Sequence, residues 1–169
     1  MIQVGDRLPA GNLQEFVEVE GNGCTIGPNS FEVEKATAGK TIAIFGLPGA
    51  FTPTCSAKHV PGYVQNSKAL ADKGIDTIAC VSVNDAFVMG AWGKDQKSDG
   101  KVHMLADGNG DFTRALGLEF DASKFGMGKR SQRFSMIVDN GVVKSVNVEQ
   151  PGAFEVSSAE YLLSSGQLP

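Results

Sequence analysis

Residues 41–56, TIAIFGLPGAFTPTCS, decide how this chain folds. The first seven form a short run of apolar and β-branched residues, bounded by Gly39 and Pro48. Such a run is typical of a strand that is buried on both faces of a sheet. The Pro48-Gly49 pair marks a turn, and a helix is expected to begin near Thr54. The stretch therefore predicts a buried strand, a tight turn and a helix in succession, the unit from which α/β sheets are built.

On either side of this stretch, strand and helix patterns alternate along the chain. The helix that begins near Thr54 is expected to reach residue 72. We expect a kink at Pro61, because proline lacks the N–H that a helix interior uses. The other predicted elements are a strand at 13–20, a strand at 75–83, a helix after Asn84, a strand at 102–106, a short helix at 111–117, two hairpin strands at Phe134–Asp139 and Val142–Val148, and a C-terminal helix.

Residues that are typical of helix caps and turns separate these elements. Short polar side chains at a helix start accept hydrogen bonds from unpaired N–H groups, and Asn-Gly pairs favour type I′ hairpin turns. The expected features are N-caps at Asn84 and Asp111, a capping box from Ser157 to Glu160, a type I′ turn at Asn140-Gly141, and a turn region over residues 21–30 that carries Cys24.

The order of these elements predicts the fold class. Strands that alternate with helices indicate an α/β sandwich with helices on both faces of the sheet. The closing hairpin makes the central sheet mixed, and the strand at 13–20 adds an N-terminal β extension. This plan is that of a thioredoxin-like fold with extra elements. The length of 169 residues suits one domain with one core, so we expect residues 1–169 to form a single domain.

Composition and charge exclude several classes of partner. The formal net charge of −4 argues against nucleic acid or an anionic membrane, because both require a basic face. The N-terminal residues do not have the pattern of a secretory signal, and the apolar stretches are too short for a membrane span. Three cysteines without a CxxC pair do not form a secreted disulfide framework, so we expect a reducing, cytoplasmic location.

Cys55 is the clearest candidate for a reactive side chain in this sequence. In the first turn of a helix, a cysteine lies at the positive end of the helix dipole, among N–H groups that have no partner. This position favours the thiolate, which is the nucleophilic form of the side chain. Thr52 lies three residues earlier, so its hydroxyl can face the sulfur and exchange a hydrogen bond with a bound oxygen. The pattern by itself is equally compatible with a buried cysteine in a loop that prolines shape.

The string PGAFTPTCS resembles the peroxiredoxin active-site signature Pro-x-x-x-Thr-x-x-Cys. The wider match is to the peroxiredoxin-five group, which includes the plant type II enzymes and bacterial forms that can be fused to a glutaredoxin. The resemblance covers nearly the whole chain. Its further parts are Val4-Gly5-Asp6, Pro9, His59-Val60-Pro61-Gly62, the string at residues 82–89, Trp92 and Arg133-Phe134-Ser135-Met136.

The resemblance implies a thiol peroxidase that needs no metal or organic cofactor. It implies that Cys55 attacks the peroxide and that Thr52 forms hydrogen bonds with both the peroxide and the sulfur. It also implies that Arg133 holds both the thiolate and the peroxide oxygen. Arg133 is one of three cations, with Lys129 and Arg130, and a solvated loop is the ordinary role of such a cluster. The choice of Arg133 over Arg130 rests on the matching Arg-Phe-Ser-Met context. The expected lining of the peroxide pocket is Pro48, Thr54 and Phe125. A homodimer with contacts around the active site is also implied.

The positions of the other two cysteines indicate how oxidised Cys55 would be reduced again. Cys80 lies in a predicted central strand, where it is either a core residue or a resolving partner for Cys55. Cys24 lies in a glycine-rich loop and has no expected role. Some relatives carry a resolving cysteine before the last helix, where this chain has Ser157 and Ser158. We therefore expect an external reductant: glutathione, a glutaredoxin or a thioredoxin.

Three other functions are compatible with parts of the sequence. Cys55 and His59 could share a metal on one helical face, although zinc sites normally have closely paired ligands. A disulfide exchanger would need a second cysteine where Thr52 stands. A non-catalytic interaction module on the same fold is the third alternative, because fold does not determine function.

Overall fold

The computed structural model describes residues 1–19 and 25–169. In these residues the strands are β1 (Asn12–Val19), β2 (Thr25–Glu32), β3 (Thr41–Gly46), β4 (Thr77–Ser82), β5 (His103–Ala106), β6 (Glu119–Asp121), β7 (Lys129–Ser131), β8 (Phe134–Asp139) and β9 (Val142–Val148). The helices are α1 (Val33–Thr37), a π-helical turn (Cys55–His59), α2 (Val60–Gln65), α3 (Ser67–Asp72), α4 (Ala86–Gln96), α5 (Asp111–Leu116), a 3-10 turn (Ser123–Phe125) and α6 (Ala159–Ser164).

One mixed sheet organises the molecule, in the strand order β2-β1-β5-β4-β3-β8-β9. The three central strands β5, β4 and β3 are parallel, and the outer strands on both sides run antiparallel to their neighbours. The predicted mixed sheet with an N-terminal β extension is thereby confirmed. Residues Asn140 and Gly141 both have positive φ, 48° and 81°, as the predicted type I′ turn requires.

Helices cover the sheet on both faces, as predicted. On one face α2, α3, α4 and α6 bury residues such as Tyr63, Leu70 and Trp92 against β3 and β4. On the other face α1 and α5 contribute Val33 and Phe112 to a second cluster. Burial of such apolar surface, at about 25 cal/mol per Å², is the main favourable contribution to folding.

The N-terminal extension differs from the prediction. Residues 21–30 were expected to form a turn region, but β2 begins at Thr25 and pairs antiparallel with β1 along its whole length. Pro28 lies within β2, and this is tolerated because β2 is the edge strand of the sheet. The structure also contains a small sheet of β6 and β7 that the sequence pattern did not indicate. Cys24 lies outside the described residues.

Three predicted helix caps are shifted along the chain. Asp85, not Asn84, caps α4, since its carboxylate accepts from the N–H of Val88 at 2.8 Å. Ser158, not Ser157, caps α6. Asp111 is the first residue of α5, where it is not the N-cap. At that helix the carboxylate of Asp107 accepts from the N–H groups of Phe112 and Thr113 instead.

The long helix predicted for residues 54–72 is divided into three parts. The π-helical turn Cys55–His59 comes first, and it closes with the N–H of Val60 donating to the carbonyl of Cys55. Pro61 then lies in the first turn of α2, a position where its missing N–H costs little. A second break follows at Asn66, between α2 and α3.

Within the described ranges, the structure has no helix long and apolar enough to cross a membrane.

Candidate active site

The turn that carries the signature residues leaves the carboxyl end of β3. Asn84, which follows β4, holds this turn, because its side-chain oxygen accepts from the N–H of Ala50 at 3.0 Å. The same oxygen accepts from the hydroxyl of Ser82 at 2.6 Å. Phe51 has a φ of 61°, a left-handed conformation that is costly for a bulky residue. Asn84, itself held by Ser82 of β4, therefore stabilises a strained turn directly before Cys55.

Cys55 is the first residue of the π-helical turn, and its side chain is fully buried. The neighbouring Ser56 accepts a hydrogen bond from the indole N–H of Trp92 at 3.0 Å, which ties this turn to α4. The carbonyl of Thr52 accepts from the N–H of Ser56 at 3.0 Å. The sulfur is thus held on an ordered segment and shielded from bulk water, where nearby charges act strongly on it.

Arg133 is the charged residue that the structure brings to this sulfur. One guanidinium nitrogen, Nη2, lies 3.2 Å from Cys55 Sγ, and the other, Nη1, lies 2.8 Å from Nδ1 of His59. The guanidinium carbon lies 5.7 Å from the ring centre of Phe154. The pairing of Gly46 with the first residue of β8 explains this contact, because Arg133 directly precedes that residue. Arg133 therefore lies next to the end of β3, from which the active-site turn leaves.

Arg130, which the sequence left as an alternative, is placed differently. Its Nε donates to the carbonyl of Met127 at 2.9 Å, and its Nη1 lies 3.5 Å from the carbonyl of Pro48. The guanidinium lies close to Gly49 of the turn, where an added Cβ would stand only 3.1 Å from Nη1. Arg130 supports the turn, whereas Arg133 reaches the sulfur.

The hydroxyl of Thr52 donates to the carbonyl of Gly49 at 2.7 Å. Since this bond occupies the only hydroxyl proton, the oxygen lone pairs are left to accept from another group. Thr52 is half-buried, so a small molecule beside Cys55 can reach it. The geometry therefore favours an acceptor role for Thr52 over the donor role that the sequence left open.

The three residues expected to line the peroxide pocket differ in their distance from the active-site turn. Pro48 and Thr54 are half-buried within the turn and precede the π-helical segment. Phe125 ends the 3-10 turn and is 68% exposed, with Lys124 Nζ 5.3 Å from its ring centre. The described contacts do not bring Phe125 to Cys55. Met127 of the same loop lies against the active-site turn, because its Cε would be 3.4 Å from a Cβ at Gly49.

His59 is a buried neutral imidazole. Burial, together with the charge of Arg133, lowers the pKa of His59 from 6.5 to about 3. Its Nε2 lies 3.0 Å from the carbonyl of Ser157, which can only accept, so Nε2 carries the proton. Nδ1 is then left with a lone pair that accepts from Arg133. Both ring nitrogens are occupied by hydrogen bonds.

His59 is the residue whose part in this site sequence reasoning missed. Its spacing of four residues from Cys55 indicated a shared helical face, but nothing local indicated a bond to Arg133. The metal alternative rested on the same spacing. Among residues 1–19 and 25–169, the structure contains no group of three or more His, Cys, Asp or Glu side chains that could hold a metal ion.

Cys80 lies in β4 beside Phe45 of β3, fully buried in the same core cluster as Cys55. Burial raises the pKa of the Cys80 thiol well above 9.0, and the neighbouring Cys55 raises it further. Cys80 is therefore protonated at neutral pH and faces the helices that cover the site. In the described residues both cysteines are free thiols.

Known proteins are similar to this chain over nearly its whole length. The Redoxin family model matches residues 3–163. Chloroplastic peroxiredoxin-2E of Arabidopsis thaliana is 49% identical over 166 residues, which cover 97% of this chain and 69% of that protein. Peroxiredoxin-2D of the same plant is 46% identical over 164 residues, which cover 97% of this chain and 98% of that protein.

Among solved structures, reduced Prx3 of Vibrio vulnificus in complex with hydrogen peroxide superposes with a TM-score of 0.90. It is 48% identical, and the alignment covers 98% of this chain and 99% of that one. The thioredoxin-like architecture expected from the element order is thus confirmed by this superposition. A family match of this length and relatives this similar show that the chain belongs to the peroxiredoxins, the thiol peroxidases of the redoxin family.

Proposed function

We propose that Cys55 reduces hydrogen peroxide and organic hydroperoxides and is itself oxidised to a sulfenic acid. The observation that carries this proposal is the 3.2 Å approach of Arg133 Nη2 to Cys55 Sγ in the first turn of a helical segment. A guanidinium is always charged and donates in a fixed geometry, so it favours the thiolate beside it. The helix start acts in the same direction.

The reaction follows from the groups around the sulfur. The thiolate attacks one peroxide oxygen, the S–O bond forms and the O–O bond breaks. The leaving oxygen takes a proton from solvent water and departs as water or an alcohol. Arg133 stabilises the negative charge that develops on the oxygens, and the hydroxyl oxygen of Thr52 accepts a hydrogen bond from the peroxide O–H and so orients the substrate. Cys55 is left as a sulfenic acid.

Recycling by an external thiol is the second part of the proposal, with glutathione and a glutaredoxin favoured over thioredoxin. One thiol condenses with the sulfenic acid to give a mixed disulfide and water, and a second thiol releases Cys55. Cys80 is a poor internal substitute, because its thiol is buried and protonated. It lies in the same core cluster as Cys55, so an internal disulfide would require the π-helical turn to unwind.

A double variant, Cys24→Ser with Cys80→Ser, tests this part of the proposal. We expect near-normal turnover with glutathione and glutaredoxin, because Cys55 alone carries the cycle. Intact-mass analysis of the parent protein after one equivalent of peroxide should show a single added oxygen. Addition of glutathione should then convert that species to a glutathione adduct. Loss of turnover in the double variant, with a Cys55–Cys80 or Cys55–Cys24 disulfide in the oxidised parent, would show that an internal thiol is required.

A homodimer with contacts near the active site completes the proposal. Phe51 of the active-site turn and Phe87 of α4 are 53% and 65% exposed, which is unusual for large apolar side chains. We expect sedimentation analysis to give the mass of two chains and Phe87→Ser to shift the protein towards the monomer. Val4→Ser is the matched control, since Val4 is an exposed apolar residue of the N-terminal segment. A parent protein that sediments as a monomer contradicts the proposed dimer.

A further inference from the structure

A chain of hydrogen bonds continues beyond the reactive sulfur into the protein. After Arg133 and His59, the next group is the carbonyl of Ser157, which accepts from His59 Nε2 at 3.0 Å. The same carbonyl accepts from the hydroxyl of Tyr63 at 2.8 Å. Both of these side chains are fully buried, so the bonds are shielded from competition by water. The position of the Ser157 carbonyl therefore determines where the imidazole lies.

Glu149 fixes the backbone that carries this carbonyl. Its buried carboxylate oxygen Oε2 accepts from the N–H groups of Glu155, Val156 and Ser157 at 2.8, 3.0 and 3.0 Å. It also accepts from the hydroxyl of Ser157 at 2.7 Å. The N–H of Glu149 donates to the carbonyl of Arg133 at 2.9 Å. One acidic residue thus binds both the segment that holds His59 and the backbone of the arginine.

We propose that His59 is a positioning residue: it accepts from Arg133 through Nδ1 and is anchored to the Ser157 carbonyl through Nε2, and so directs the guanidinium towards Cys55. This inference rests on the function proposed for Cys55 and Arg133. The bond of 2.8 Å to Nη1 leaves Nη2 aimed at the sulfur, 3.2 Å away. An arginine side chain has several rotatable bonds, and this contact restricts it to one orientation.

A neutral acceptor suits this position better than a carboxylate. A carboxylate beside Arg133 would form an ion pair and cancel the positive charge that the thiolate uses. The imidazole lone pair orients the guanidinium without adding negative charge. Burial keeps the ring neutral, because its pKa of about 3 lies far below physiological pH. His59 therefore orients the arginine and leaves its charge available to sulfur and peroxide.

Two amide substitutions separate the two bonds of the ring. In His59→Asn the side-chain oxygen can take the place of Nδ1 and accept from Arg133, whereas the bond to Ser157 is lost. In His59→Gln the amide N–H can take the place of Nε2 and donate to Ser157, whereas the acceptor for Arg133 is lost. Both variants replace the imidazole by a neutral amide at the same buried position, so each serves as the control for the other.

We expect hydrogen peroxide to oxidise Cys55 faster in the His59→Asn variant than in the His59→Gln variant. The measured quantity is the single-turnover rate constant. The glutamine variant should be slower than the parent by about tenfold or more, the kinetic equivalent of one lost charge-assisted hydrogen bond. The loss should appear in the rate constant of the single turnover, because the guanidinium is no longer oriented towards sulfur and peroxide. A purely structural role would lower the amplitude of that turnover, which measures the active fraction, and leave the rate constant unchanged. Equal rates, or a faster glutamine variant, would overturn the inference.

The native chain provides a second measurement that does not depend on how the variants fold. Nitrogen NMR of labelled histidine distinguishes the two neutral tautomers and the imidazolium form, and the chain contains only 2 histidines. His103→Gln assigns the signals, since His103 pairs with Glu15 on another part of the sheet. We expect His59 to be the Nε2–H tautomer at every pH from about 5 to 8. The Nδ1–H tautomer or an imidazolium would overturn the inference, because neither can accept from Arg133 at Nδ1.

Peroxide reduction by the parent protein, lost in Cys55→Ser, tests the underlying function separately.

Discussion

Replacement of Cys55 by serine should abolish peroxide reduction and leave the fold intact. The alcohol of serine is not ionised beside Arg133, and it is a far weaker nucleophile towards oxygen than a thiolate. The substitution exchanges one small buried side chain for another at a fully buried position. We therefore expect peroxide consumption to fall to the rate of the buffer blank, while circular dichroism and thermal unfolding remain close to those of the parent protein.

Cys80→Ser is the matched control for this prediction. It makes the same chemical change at a second buried cysteine, one that does not contact Arg133 through a described hydrogen bond. Its first oxidation by peroxide should proceed at the parent rate, because that step uses Cys55 alone. Appreciable peroxide consumption by Cys55→Ser, above the blank and at constant protein purity, would remove Cys55 from the centre of the mechanism.

The elements that could be predicted from sequence are those in which local pattern and tertiary packing agree. Strand β3 is a continuous apolar run, and the hairpin of β8 and β9 has both the alternation and the Asn-Gly turn. Strand β2 has no such pattern, since Gly27, Pro28 and Asn29 stand in its middle. It is extended because β1 supplies hydrogen-bond partners along its length, which is a tertiary effect.

The observed helix caps also differ from the predicted ones, and tertiary contacts again explain the difference. Asn84 and Asp85 are both residues that cap helices well, so local preference does not choose between them. The choice depends on Asn84 already bonding Ala50 of the active-site turn and Ser82 of β4. A residue that resembles a cap in the sequence is thus used to support the site, and its neighbour caps the helix.

The active site divides into a local part and a distant part. Thr52 and Cys55 lie on one turn, so their spacing indicated a shared chemistry before any fold was known. Arg133 is 78 residues from Cys55 and is brought to it by the pairing of β3 with β8. Neither periodicity nor charge could separate it from Arg130 without that register. The bond from His59 to Arg133 depends on the same long-range pairing and had no local signal.

Replacement of Thr52 by valine should slow the oxidation of Cys55 by about a hundredfold or more. Valine keeps the shape of threonine but removes the oxygen that accepts a hydrogen bond from the peroxide O–H. It also removes the hydroxyl that bonds the Gly49 carbonyl at 2.7 Å and thereby fixes the direction of the lone pairs. The peroxide would then meet Arg133 and the sulfur without a group that orients its O–H.

Thr52→Ser separates the hydroxyl from the shape of the side chain. Serine keeps both the donor to Gly49 and the lone pairs, so it should retain much of the parent rate. Stopped-flow fluorescence of Trp92 can follow the reaction, because its indole N–H bonds Ser56 directly beside the sulfur. The two variants should share the parent's unfolding temperature within a few degrees, about the shift expected for 1 kcal/mol. If serine and valine at this position gave equal oxidation rates, the hydroxyl would have no part in the reaction, and the threonine would serve only to shape the turn.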